Sequence, residues 1–231
     1  MKVVILCGGL GSRLAEETKL IPKPMIKIGK IPIVHYIIKF YQSYGFKDFI
    51  LATGYKKEIL ERFYKNEKRI KCVYTGNGTL TGGRLLRLKK YFKKNEIFSV
   101  TYGDGLTNQN LKKLYLFHKK HKKIATLTAV RPPARFGELN ILGNKVQKFQ
   151  EKPQLKNNWI NGGFFVFNYK IFNFISGDKI MLEREPFNKL TKKKQLMAYK
   201  HYGFWQCMDT MRDKKVLSDL WKEKKAPWKK K

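Results

Sequence analysis

A five-residue apolar run, Val3-Val4-Ile5-Leu6-Cys7, stops abruptly at Gly8-Gly9-Leu10-Gly11-Ser12-Arg13. An unbroken apolar stretch of this length reads as a strand covered on both faces, as in a parallel sheet. Three glycines among the next four residues let the chain turn sharply and bring backbone N–H groups up to a bulky anion. Arg13 closes the loop with a fork-shaped cation, and Lys23, inside Pro22-Lys23-Pro24-Met25, adds a point charge shortly after. A strand, a bare-backbone loop and two cations meet the needs of a triphosphate. The loop alone also allows a tight turn followed by two solvated bases. It is not a P-loop, because Ser12-Arg13 follows Gly11 where Lys-Ser/Thr would be required. Nor does it complete a dinucleotide fingerprint from Gly9, since Leu14 stands where glycine or alanine is needed.

Strand-like and helix-like stretches alternate through the first half, which favours a mostly parallel sheet. Strands are expected at Lys2–Cys7, Asp48–Thr53, Ile70–Tyr74, Ile97–Tyr102 and Lys123–Val130. Helices are expected at Pro32–Tyr44, with Pro32 as first helical residue, and at Lys56–Arg69, Gly83–Lys93 and Asn108–Lys120. After Val130 the pattern shortens to Phe136–Leu142, Lys145–Phe149 and Ile160–Phe167 around a Gly143-Asn144 turn, with a last helix from Met211 to Glu223. The expected fold is therefore α/β, a single-domain Rossmann-like mixed sheet, mostly parallel and flanked by helices. Its parts are a core over 1–130, a part of shorter strands over 131–210, and a C-terminal helix and tail over 211–231.

With 231 residues, 42% of them hydrophobic, the chain can bury a sizeable core. No apolar stretch approaches membrane length, and the first strand leaves no room for a signal peptide. Cys7, Cys72 and Cys207 are odd in number and widely spaced, which fits free thiols in a reducing cytoplasm. The net charge of +33 raises nucleic-acid binding as a function. Against it, only nine of the fifty bases are Arg, the lysines are spread along the whole chain, and no nucleic-acid fold pattern is visible. Nonspecific adhesion to polyanions at low salt is what this charge implies.

The glycine-rich segments fall after successive strands: Gly8–Arg13 after the first, Thr79–Arg84 after the third, Gly103-Asp104-Gly105 after the fourth. Open α/β sheets bind ligands at those strand ends, so one nucleotide site is expected there. Asp104 between two glycines either caps a turn or, at the sheet rim, faces a hard cation. Asp209 offers a second carboxylate, and position alone allows Asp213 the same role, since either could be a helix-start charge. Lys152 is held extended by Pro153. His118 and His121 share a helix face among lysines, a poor setting for zinc.

Taken in order, several segments resemble the sugar-nucleotide pyrophosphorylase (nucleotidyltransferase) family. They are Gly8–Arg13, Pro22–Met25, Thr81–Arg84, Tyr102–Gly105, Arg135–Gly137, Phe149–Pro153, Asn161–Phe165, Gly203–Gln206 with Met208–Thr210, and Ala226–Trp228. The last two resemble the branch that acts on glucose 1-phosphate with CTP. The resemblance implies the nucleotide-diphospho-sugar transferase fold and nucleotide contacts from Leu6, Gly8, Gly9, Leu10, Gly11, Ser12, Arg13, Lys23, Thr79, Arg84 and Gly103. It implies catalytic roles for Arg13, Lys23 and Asp104, and Mg2+ held by Asp104 and Asp209. The sugar phosphate would meet Gly137, Glu151, Lys152, Asn161 and Gly162. CTP and glucose 1-phosphate would give CDP-glucose, a precursor for deoxysugars and O-antigen, in a cytoplasmic protein that admits a homo-oligomer. The stretch from Lys56 to Leu80 is markedly shorter than its family counterpart, a region used there in subunit packing and near the nucleotide. UTP, dTTP or GTP would require only different base contacts, so those substrates stay open. So do a nucleotide-binding regulator without turnover and a nucleic-acid binder.

Overall fold

A computed structural model describes residues 1–132, 137–150 and 158–229. Seven strands form one sheet: β1 (Lys2–Cys7), β2 (Asp48–Thr53), β3 (Ile70–Tyr74), β4 (Ile97–Tyr102), β5 (Ala125–Val130), β6 (Ile160–Asn168) and β7 (Leu196–His201). Their spatial order is β7-β5-β6-β4-β1-β2-β3. Only β6 runs against its neighbours, β4 and β5; β4, β1, β2 and β3 are mutually parallel, and β7 is parallel to β5. The mixed, mostly parallel α/β sheet expected from the sequence is therefore present.

The apolar run of β1 is buried on both faces because alternate side chains enter different cores. Val3, Ile5 and Cys7 pack with helix α1 (Ile33–Gln42) and with Leu217 of the C-terminal helix. Val4 and Leu6 pack with Leu85, Phe98, Val100 and Phe165 on the other side. The other α-helices longer than one turn are α2 (Lys57–Phe63), α3 (Thr81–Arg87), α4 (Leu111–His121), α5 (Glu185–Lys192) and α6 (Met211–Lys222).

Several boundaries differ from expectation. Pro32 is extended and precedes the helix, which begins at Ile33. The helix expected over Lys56–Arg69 ends at Phe63. Helix α3 starts earlier, at Thr81, and stops at Arg87 before a tighter turn over Lys89–Tyr91. Lys122 adopts the left-handed conformation that ends α4, so β5 begins at Ala125 rather than Lys123. Helix α5 and the edge strand β7 were not expected. Glu138–Leu142 and Lys145–Gln150 form the hairpin expected at the Gly143-Asn144 turn, apart from the main sheet.

Candidate active site

The C-terminal ends of β1 and β4 open into a cleft of about 550 Å³. Its walls include Leu6, Gly8, Gly9, Leu10, Gly11, Ser12, Arg13, Lys23, Thr79, Arg84, Gly103, Asp104 and Asp209. Thirteen residues predicted from three separate stretches and the C-terminal segment thus meet in one place. Their meeting follows from the parallel order, which puts the loops after β1, β3 and β4 on one rim.

Two carbonyls of the loop after β1 are engaged by the protein itself. Gly11 O accepts from Leu14 N (2.9 Å) and Thr18 Oγ1 (3.2 Å). Gly8 O accepts from Arg84 NH2 at 2.7 Å. A loop engaged by its carbonyls from behind offers its N–H edge to an anion. Gly11 has φ 68°, the left-handed region that glycine enters without penalty. A side chain at Gly8 would run into the Arg84 guanidinium.

Arg84 is buried and has its guanidinium committed to protein acceptors. Besides Gly8 O, NH1 donates to Thr53 O (3.2 Å), Thr75 Oγ1 (2.8 Å) and Gly76 O (2.7 Å). Burial, opposed in part by Cys7, lowers its pKa below the ordinary arginine value. It therefore ties the loops after β1, β2 and β3 together beneath the cleft floor.

Lys23 Nζ donates to Asp104 Oδ2 at 2.5 Å and to Asp209 Oδ1, while Arg13 donates to the other oxygen of Asp209. Burial alone would lower the Lys23 pKa, but the charge and hydrogen bond of Asp104, with those of Asp209, outweigh it and raise it. The amine is thus a firmly charged ammonium. The two carboxylates, 105 positions apart in sequence, are joined by a short ladder. Gly105–Thr107 pairs antiparallel with Trp205–Cys207, and Met208 N donates to Asp104 O at 2.9 Å. Two carboxylates converging on one ammonium are a donor set that suits a hard divalent cation sharing phosphate oxygens and water. Among the described residues, no group of three or more His, Cys, Asp or Glu converges as a ready-made metal cage.

Asp213, the positional rival of Asp209, faces elsewhere. It forms a capping box with Thr210 at the start of α6. Asn161 and Gly162 do not line the cleft. They sit at the start of β6, which runs antiparallel and so begins at the same rim, where Gly162 O accepts from Trp205 Nε1 at 2.7 Å. Gly137 precedes the separate hairpin. Glu151 and Lys152 lie outside the described residues, as does Arg135.

Tyr102, Thr81 and Met181 also line the cleft. Tyr102 and Thr81 stood in recognised motifs without an assigned role. Glu183 joins them from behind, accepting from Tyr102 OH and from Thr81 Oγ1, the latter at 2.7 Å. Burial and the adjacent Glu183 charge push the Tyr102 phenol well above its ordinary pKa. Met181 and Glu183 come from a turn with neither periodicity nor motif, so the sequence carried no signal for them. Cys7 is also a cleft residue, and burial holds its thiol well above the ordinary range, which keeps it protonated and unreactive. No helix of the described residues is long and apolar enough to cross a membrane.

Comparison with known proteins agrees with this geometry. The model of the nucleotidyl transferase family matches residues 2–213. The glucose-1-phosphate cytidylyltransferases of Salmonella typhimurium and Salmonella typhi are each 45% identical over 254 aligned positions, covering 99% of this chain and 99% of theirs. Those 254 positions against 231 residues show that the relatives carry extra residues, in keeping with the short Lys56–Leu80 stretch. The crystal structure of HddC from Yersinia pseudotuberculosis superposes with a TM-score of 0.75 at 23% identity, over 95% of this chain and 99% of that one, which establishes the shared fold.

Proposed function

The chain belongs to the nucleotidyl transferase family, and on that premise we propose that it transfers a cytidylyl group from CTP to glucose 1-phosphate. The products are CDP-glucose and pyrophosphate. The names of the relatives that align over 99% of the chain support this substrate pair. The observation that carries the reading is the Arg13–Asp209–Lys23–Asp104 array beneath a glycine-rich loop, in a cleft of nucleotide size.

The chemistry asks little of a base, because the attacking sugar-phosphate oxygen is already an anion. It forms a bond to the α-phosphorus as the bond to the bridging oxygen of pyrophosphate breaks, and the pyrophosphate carries away the electron pair. The barrier is the repulsion between two polyanions and the cost of aligning them, so positioning and charge neutralisation supply the catalysis. The loop Gly8–Arg13 receives the phosphates through backbone N–H groups, Arg13 and Lys23 neutralise them, and Thr79, Arg84 and Gly103 shape the nucleotide side. Asp104 and Asp209 would hold Mg2+, which when bound draws charge from the α-phosphate oxygens. Lys23, now standing between those carboxylates, then has its ammonium available to the triphosphate. Lys152 and Glu151, with Gly137, Asn161 and Gly162, receive the sugar phosphate.

Incubating the protein with CTP, glucose 1-phosphate and Mg2+ tests the proposal. Equimolar CDP-glucose and pyrophosphate are expected, with both lost in EDTA. CTP consumption that does not depend on glucose 1-phosphate would refute it.

A further inference from the structure

Asp209 presents both carboxylate oxygens to cations, Oδ1 to Lys23 and Oδ2 to Arg13. The backbone that carries it belongs to a turn between the Trp205–Cys207 strand and helix α6. Four of the polar contacts that shape this turn end on one carboxylate. Asp213 Oδ2 accepts from Asp209 N (3.0 Å), Thr210 N (2.9 Å) and Thr210 Oγ1 (2.9 Å), and Oδ1 accepts from Gln206 Nε2 (3.1 Å). Gln206 Nε2 also donates to Cys207 O at 2.9 Å, which folds the chain back upon itself.

We propose that Asp213 is a positioning residue for the metal site, fixing Asp209 through the peptide N–H of Asp209 itself. An ordinary helix cap needs only the reciprocal contacts with Thr210, in which Asp213 N donates to Thr210 Oγ1 at 3.2 Å. The bonds to Asp209 N and Gln206 lie upstream of that cap and are not among its reciprocal contacts. They face the inside of the turn, so the Asp209 side chain is turned outward to Lys23. Loss of the Asp213 carboxylate frees the Asp209 peptide, and Arg13, with its side chain 71% exposed, is then free to draw the carboxylate toward solvent. The inference rests on the reading of Asp104 and Asp209 as the metal pair.

Its test compares Asp213→Ala, Thr210→Val and Asp209→Asn by electron paramagnetic resonance titration of Mn2+ onto the full chain with CTP bound. CTP affinity in EDTA and thermal melting are measured alongside. Outer-shell partners of metal ligands typically change affinity about 10–100-fold. Asp213→Ala is expected to weaken Mn2+ binding by at least about tenfold, while CTP affinity without metal stays unchanged. Thr210→Val breaks the cap but spares the bond to Asp209 N, so it should lower the melting temperature and leave Mn2+ affinity intact. Equal Mn2+ affinity in Asp213→Ala and the wild type, or an equal loss in Thr210→Val, overturns the role of Asp213. If Asp209→Asn leaves Mn2+ affinity unchanged, the metal reading itself falls. Asp213→Leu keeps much of the shape and has no acceptor oxygen, and it decides by the same comparison should the alanine variant not fold.

Discussion

The sequence could not choose between Asp209 and Asp213, because both precede or begin a helix and either could serve as a first-turn charge. The fold separates them: Asp209 reaches Lys23, and Asp213 turns back into its own loop. Asp104→Asn preserves shape and removes charge, so circular dichroism should report an intact fold. Turnover should fall about 100-fold or more, the scale typical for loss of a preorganised electrostatic contact; near-normal kcat/KM would remove Asp104 from the chemistry. Lys152→Ala tests the sugar-phosphate side. A charge-assisted contact is worth roughly 1.5–3 kcal/mol, so kcat/KM for glucose 1-phosphate should drop tenfold or more while CTP affinity holds. An unchanged KM would return Lys152 to the solvated lysines. Arg84 shows what motif reading misses. The resemblance placed it against the nucleotide, and it does line the cleft, yet its guanidinium serves Gly8, Thr53, Thr75 and Gly76. Leaving several buried acceptors unpaired costs about 1–3 kcal/mol for each. Arg84→Met should therefore destabilise the fold by more than about 3 kcal/mol in urea unfolding, and a stability equal to wild type would contradict the clamp.

At the scale of elements, legibility followed burial and glycine. Strands β1, β2 and β4 lie where their apolar runs placed them, because those runs enter cores on both faces, and the edge strand β3 lies where expected with Ile70 buried. Strand β7 is half-exposed at the sheet edge, and its short apolar run Leu196–Tyr199 lies between Lys192-Lys193-Lys194 and Lys200, which obscures it. Helix α5 is short and buries only Pro186, Phe187 and Leu190. The turn bearing Met181 and Glu183 is positioned by tertiary contacts such as Leu182 N to Thr81 Oγ1 (2.9 Å), which no local pattern encodes. Helix α4 carries a pH response. Lys123 N donates to His121 Nδ1 (2.9 Å), so His121 donates from Nε2 to Thr126 Oγ1 (2.7 Å). The Thr126 hydroxyl is left to donate to His118 Nδ1 at 2.9 Å. Burial, then the nearby His121, lowers the His118 pKa from 6.5 to about 4. Between those values the unfolded chain takes up a proton that the folded chain refuses. Stability is therefore full above pH 6.5, falls by about 3 kcal/mol as pH drops to 4, and then levels off from this group's contribution. Chemical denaturation across pH 4–7 checks this, and His118→Gln should flatten the slope; an equal slope in the variant would contradict it.

At the scale of the whole molecule, the charge of +33 and the fold make separate statements. The lysines are carried largely on exposed helix and loop positions, several lying over aromatic rings such as Lys71 on Tyr91 and Lys57 on Tyr74. The cleft carries its own small array of alternating charges. The nucleotidyl transferase fold was legible because three loops, read separately, had to share one sheet rim. Base choice was not, because the loops that gather at the rim are the phosphate-facing ones and carry no base signature. The most direct test measures kcat/KM for CTP, UTP, dTTP and GTP, each with glucose 1-phosphate and Mg2+ under the same conditions. The account predicts the highest value for CTP. A higher value for any of the other three would contradict the cytidylyl assignment.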